Sequence, residues 1–189
     1  MKKIIAAFAL PEEVVKINVP GFDVQTVITK ITKPYAAATL AHAIVTYNPD
    51  AVINVGTAGT LNLSVGDIVV CRKFIDRDIA RSGFSSVSSK ISFEEDFPIR
   101  LQSKVGGKYT DDFYTVNTGD DFVTKADTIV GDVIDMEAFA DAVVCKTFGV
   151  PYISVKFVSD VIGQNSMQIW EERLKIAREK LSDYFEKLF

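Results

Sequence analysis

Ala51-Val52-Ile53-Asn54-Val55, running into Gly56-Thr57-Ala58-Gly59-Thr60, is the stretch whose reading decides the fold. A short, nearly all-apolar run of this kind suits a strand in a sheet covered on both faces, and the glycine-bearing segment after it reads as a tight turn. Upstream, residues 4–9 form an apolar run and residues 24–31 alternate as a strand. Pro34 then opens a helical stretch through Tyr47, with proline at the favoured first position. Ala37, Leu40, Ala41, Ile44 and Val45 share one face of it, and Asn48-Pro49-Asp50 ends it. Downstream, residues 67–71, 113–117, 130–134 and 152–158 read as strands. Residues 138–148 form a helix closed by Gly149 and Pro151. Residues 167–189 form an amphipathic helix with Leu174, Ala177, Leu181, Phe185 and Leu188 inside. Strands alternating with helices predict an α/β fold, a three-layer mixed sheet flanked by helices, as one domain over residues 1–189.

Composition narrows the function. The 189 residues are 48% hydrophobic and 24% charged, with a net charge of −4, as in an ordinary globular protein. No basic stripe suits a nucleic acid, and no apolar run reaches the roughly 18–20 residues of a membrane span. Cys71 and Cys145 lie in apolar segments and read as free buried thiols of a reducing, cytoplasmic compartment. With a single histidine, His42, placed mid-helix as a surface or packing residue, no metal site is expected, and no cofactor. Lys2-Lys3 ahead of residues 4–10 also fits a short signal peptide cleaved near Ala7-Phe8-Ala9. The run is at the bottom of the usual ~7–15 residues, however, and the rest of the chain needs a strand there. Residues 76–112 are polar and poorly periodic, with serines at 82, 85, 86, 88 and 89. They read as excursions around a site or at a subunit contact, with Glu94-Glu95-Asp96 as a solvated face.

Four segments place polar or glycine residues where strands end: Leu10-Pro11-Glu12-Glu13, Gly56-Thr57-Ala58-Gly59, Asp135-Met136-Glu137 and Ser159-Asp160. Ligands of open α/β sheets sit beyond the carboxyl ends of strands, so neighbouring strands would bring carboxylates and a glycine-rich turn together. Glu137 also opens a helix, where the macrodipole favours an ionised carboxylate able to accept from a vicinal diol. Each segment has a plainer reading. Gly-Thr-Ala-Gly fits a turn, Asp135 and Glu137 fit helix caps, Ser159-Asp160 fits a turn or cap, and Glu12 and Glu13 fit surface charge. Their order and spacing together favour a site.

That order resembles the nucleoside phosphorylase and nucleosidase family, most closely its methylthioadenosine/S-adenosylhomocysteine nucleosidase branch. The resemblance is carried by residues 52–59 with Val65-Gly66-Asp67-Ile68-Val69-Val70, by Thr118-Gly119-Asp120-Asp121-Phe122, by Ile134-Asp135-Met136-Glu137-Ala138, and by Gly149-Val150-Pro151 leading to Val158-Ser159-Asp160-Val161. It implies a nucleoside phosphorylase-like fold, a small nucleoside substrate and a homo-oligomer, with a dimer favoured. It also implies roles. Glu137 would bind the ribose hydroxyls, with Met136 beneath the sugar and Asp135 beside them. Asp160 would protonate the departing purine, positioned by Ser159. Phe122 would stack on the base and the Val123 backbone would read its edge. Thr57, with Ala58 and Gly59, would contact the nucleophile or ribose, and Glu13 would activate water. Leu10 and Trp170 would pack on the 5′ substituent.

Glycosidic cleavage suits these residue types. Positive charge builds on the sugar and negative charge on the base, so an acid must protonate the base and a base must ready the water. A phosphorylase would need phosphate-binding arginines. None precedes Gly56, and Glu12 and Glu13 would repel phosphate, so hydrolysis is favoured. The alternatives are a phosphate-dependent phosphorylase and a purine- or nucleoside-binding module without turnover. The chain departs from its relatives in being short. It carries Thr29-Lys30-Ile31-Thr32-Lys33 where they have a glycine-containing segment, and Lys156 where an arginine is frequent.

Overall fold

The computed structural model describes residues 1–84, 86–125, 129–163 and 166–189, the side chains of 166, 167 and 169 apart; Ser85 lies outside the described residues. In chain order the elements are β1 (Lys2–Phe8), a 3-10 turn (Pro11–Glu13), β2 (Phe22–Ile28), α1 (Lys33–Tyr47), β3 (Ala51–Thr60), β4 (Ile68–Asp76), α2 (Arg77–Ser82) and β5 (Lys90–Ser92). There follow β6 (Ser103–Val105), β7 (Lys108–Thr110), β8 (Tyr114–Thr118), β9 (Val133–Asp135), α3 (Ala138–Phe148), β10 (Tyr152–Val161) and α4 (Ser166–Leu188). No helix among the described residues is long and apolar enough to cross a membrane.

The sheet is mixed. β1 runs parallel to β2 and β3, β3 parallel to β10, and β4 antiparallel to β10 but parallel to β8. β9 pairs β8 in parallel and the far end of β3 antiparallel. Thus β3, β10, β4, β8 and β9 close on one another, and the residues near their ends face a common space. Strand alternation sorts side chains to two apolar layers. Ile5, Ala7, Val52 and Tyr152 pack against Leu40 and Ile44 of α1 and Phe139, Ala142 and Cys145 of α3. Ile4, Ala6, Phe8, Ile53, Val55, Ile153 and Phe157 pack against Ala177, Leu181, Tyr184 and Phe185 of α4. This is the expected three-layer α/β arrangement.

Several expected boundaries shift. The segment Gly56-Thr57-Ala58-Gly59-Thr60 is not a turn: β3 continues through it to Thr60, and β10 continues through Ser159-Asp160 to Val161. Backbone pairing explains this, because β10 offers β3 a partner along its whole length, with a register shift between Val158 and Asp160. Val45 is 70% exposed, and Ala36 and Ala43 are buried on α1 in its place. The polar middle does not surround the cavity. Beyond α2 it adds β5 and the β6–β7 hairpin to the β4 side of the sheet. Glu95 is there an exposed partner of Lys146, as a solvated face requires. Cys71 and Cys145 are free and buried, and His42 is exposed.

Candidate active site

The strand ends and the 3-10 turn enclose a cavity of about 280 Å³. Among its lining residues are Leu10, Glu13, Thr57, Ala58, Gly59, Phe122, Val123, Asp135, Met136, Glu137, Asp160 and Trp170. Every residue given a substrate or catalytic role from the sequence lies on this wall except Ser159, which is fully buried behind it; Glu12 is exposed and lies outside the cavity. Ser159 Oγ lies 2.7 Å from Asp160 Oδ1 and 3.2 Å from the Ala58 carbonyl oxygen.

The glycines of β3 matter here for space rather than for a turn. A Cβ at Gly56 would stand 3.1 Å from Glu13 Oε1, and one at Gly59 would stand 2.8 Å from Ile162 Cδ1 and 3.1 Å from Asp160 Oδ2. Only a bare backbone lets the two carboxylates approach a strand so closely.

Glu13 is 6% exposed. Its Oε1 accepts from the Thr57 amide and hydroxyl, both at 3.0 Å, and its Oε2 from the Leu10 amide at 3.3 Å. Burial raises the carboxyl above its ordinary value, and Lys156 and these donors offset only part of that rise. The Trp170 indole N–H donates to Thr57 Oγ1 at 2.8 Å, and its ring meets Phe122 edge-on with centroids 6.3 Å apart.

Lys156, paired across the sheet with Gly56, is the centre of a second cluster on the same side. Its Nζ lies 2.8 Å from Asp135 Oδ2, with both side chains almost completely buried. Burial alone would pull the ammonium down; Asp135, Glu137 and Glu13 outweigh it, and its pKa is raised. Asp135 is tied down further by the Thr118 hydroxyl at 2.6 Å and the Ala138 amide at 3.0 Å. Asp135 therefore supplies the acceptor for the first amide of α3, although the N-cap position itself is Glu137. Glu137 makes no side-chain cap there and instead accepts from the Thr32 amide at 3.2 Å. Contrary to the dipole expectation, its carboxyl is pushed up to about 8, by burial first and by neighbouring Asp135 second. Desolvation outweighs a helix end that the side chain does not face.

Asp160 stands differently. It is 2% exposed, and its Oδ2 has no hydrogen-bond partner. Arg173 of α4 donates to the Ser159 carbonyl and braces this end of β10. Buried polar oxygens are nearly always paired, so one left open on a cavity wall is placed to meet a ligand.

The sequence reading missed three supports. Arg77 is buried in the polar middle; it pairs with Asp121 at 2.7 Å and Asn117 at 2.9 Å and so holds the loop that carries Phe122 and Val123. Thr32 adopts φ 83 with ψ 151, a region suited to glycine, and from there its amide reaches Glu137. Asn54, inside the deciding strand, donates to Asp141 at 3.1 Å and accepts from Ser154 at 2.8 Å behind the cavity. An asparagine within an apolar strand and a glycine-type loop lacking glycine were the available signals. Arg77 gave none. No cluster of His, Cys, Asp and Glu among the described residues has metal-binding geometry.

The phosphorylase superfamily model matches residues 12–189. A 5′-methylthioadenosine/S-adenosylhomocysteine nucleosidase of Marinomonas sp. is 29% identical, covering 86% of this chain and 78% of its own. A protein of the same name from Glaesserella parasuis is 30% identical, covering 89% and 80%. Among solved structures, such a nucleosidase from Colwellia psychrerythraea in complex with adenine superposes with a TM-score of 0.79 at 22% identity, covering 99% of this chain and 96% of that one. Futalosine hydrolase of Helicobacter pylori has the same fold, with a TM-score of 0.79 at 17% identity over 99% and 97%.

Proposed function

The chain belongs to the phosphorylase superfamily, and from that premise we propose that it is a purine nucleosidase. It hydrolyses the N-glycosidic bond of an adenosine-type nucleoside, such as methylthioadenosine or S-adenosylhomocysteine, and releases adenine. The observation that carries this reading is the pairing of a held carboxylate, Glu13, with an open one, Asp160, on the wall of one small cavity.

In this mechanism the base lies against Phe122 with its edge toward the Val123 backbone. The ribose lies over Met136 with its hydroxyls on Glu137, and Asp135 holds Lys156 beside them. Leu10 and Trp170 close the 5′ side. Asp160, steadied by Ser159, gives a proton to the purine as the carbon–nitrogen bond breaks and the bonding electrons pass to the base. Water on the Thr57 side adds its oxygen to the sugar carbon, and Glu13 takes its proton. One carboxyl thus acts as acid and the other as base across one bond. One water is divided between base and sugar with no change of oxidation state, and the proton left on Glu13 returns to Asp160 through solvent before the next turnover.

Hydrolysis is favoured over phosphorolysis because Lys156 is the only cation on the described cavity wall, and Asp135 already pairs with it. Adenine release from methylthioadenosine with and without phosphate tests this: equal rates are expected, and an absolute phosphate requirement overturns hydrolysis. Tight adenine binding without release over hours would instead make the chain a binding module.

We further place the chain in the cytoplasm as one domain that works as a homodimer. The free buried thiols suit a reducing compartment. Exposed Val45 on α1 and Val143 and Phe148 on α3 offer apolar surface for a second copy. Sedimentation equilibrium checks the dimer.

A further inference from the structure

Thr57 stands between two side chains of different chemistry. On one side the Trp170 indole N–H lies 2.8 Å from its Oγ1; on the other, Glu13 Oε1 lies 3.0 Å away. An indole nitrogen only donates, an ionised carboxylate only accepts, and a hydroxyl has one proton to give. Both contacts are therefore satisfied in a single way: Trp170 donates to Thr57, and Thr57 gives its proton to Glu13. The hydroxyl is free to rotate in most threonines. Here an aromatic residue on α4, which packs against the 3-10 turn that carries Glu13, fixes its direction.

We propose that Trp170 is a positioning residue for Glu13, acting through the Thr57 hydroxyl, so that the carboxylate keeps one orientation and its ionised form while water is activated. The inference rests on the reading above in which Glu13 receives the water's proton, and it adds to packing a directional role that a phenylalanine at the same place would not supply. The charged groups acting on Glu13 are Lys156 on β10 and Glu137 ahead of α3. Asp160 opens on the same cavity, and Arg173 on α4 is turned to the Ser159 carbonyl.

The test compares Trp170→Phe, Thr57→Val and the double variant by two readouts. One is the pH dependence of kcat/KM for adenine release from methylthioadenosine. The other is the carboxyl-carbon NMR titration of Glu13 in the free, glutamate-labelled protein, assigned with Glu13→Gln. Losing a donor weakens the charged form of a carboxylate. In Trp170→Phe the acidic limb and the Glu13 titration are both expected to move up by up to about one pH unit, with kcat falling more than KM rises. Adding Trp170→Phe to Thr57→Val is expected to change neither readout further, because the effect passes through the missing hydroxyl. An unmoved titration in Trp170→Phe, with only KM raised, would overturn the proposal and leave Trp170 a packing residue; the nucleosidase reading would survive that result. If the wild type releases no base and the titration still moves, the relay stands and the nucleosidase reading falls.

Discussion

At the Lys156 end of the cavity, Asp135 meets the lysine, the Thr118 hydroxyl and the Ala138 amide, while Glu13 and Glu137 take backbone donors from Thr57, Leu10 and Thr32. At the other end, Asp160 has one oxygen on Ser159 and the other on nothing. Both ends are buried and both are acidic. The first end is assembled before any ligand arrives, which suits holding a sugar and a water in place. The second is left incomplete, which suits a group whose partner is the substrate. Preorganised polar groups need no rearrangement during reaction, whereas an acid must be free to hand over its proton.

The contrast breaks most sharply at Lys156. Lys156→Met would leave Asp135 and Glu137 buried without their cation, and unfolding in urea should show a loss of about 3–5 kcal/mol. A loss below about 1 kcal/mol would mean that these carboxyls take up protons and need no cation. At the other end, Asp160→Asn keeps the size of the side chain and a partner for Ser159, so the fold should persist by circular dichroism. Turnover should fall by at least about 100-fold; near wild-type kcat would remove Asp160 from the mechanism.

Proton linkage sharpens the contrast from within. Glu137 and Asp141 are each pushed up to about 8, chiefly by burial. Between the unfolded values near 4 and those near 8, the folded protein binds more protons than the unfolded chain, so stability should fall as pH rises through that window. Asp141→Asn should flatten the slope of the urea midpoint between pH 5 and 8, by an effect on the order of 2 kcal/mol or less. An unchanged slope would take Asp141 out of the account. The smallest effect is expected at Thr32, whose positive φ is a strain that glycine lacks. Thr32→Gly should raise stability by about 1 kcal/mol after the added chain entropy of glycine is counted. A lower melting temperature would show that the threonine side chain contributes more than the strain it imposes.

The deciding strand was legible because burial on both faces leaves only apolar residues to choose from; Asn54, the exception within it, was passed over. The cavity-lining residues were legible as a set because their order along the chain matches a known pattern; singly, each had an ordinary reading. For Asp135 the ordinary reading holds in part, since its carboxylate accepts from the first amide of α3 while holding Lys156. The extent of β3 through Gly56 and Gly59 was not legible. A glycine's local signal is a turn, and only the approach of Glu13 and Asp160 gives these two another reason to be there. Arg77 was hidden for the same cause: its partners, Asp121 and Asn117, lie about forty positions downstream.

By itself, then, the sequence determined the alternation of strands and helices, the two-sided burial of the sheet and the identity of the carboxylates, because periodicity and residue type are local properties of the chain. The tertiary structure alone decided which carboxylate is tied and which is open. It also decided that Glu137 is pushed up instead of down, and that Trp170 and Glu13 meet the same Thr57 hydroxyl. Those outcomes depend on desolvation and on hydrogen bonds between residues far apart in the chain, as the 113 positions between Thr57 and Trp170 illustrate. Such contacts exist only once β3, β10, the 3-10 turn and α4 have packed around the same cavity.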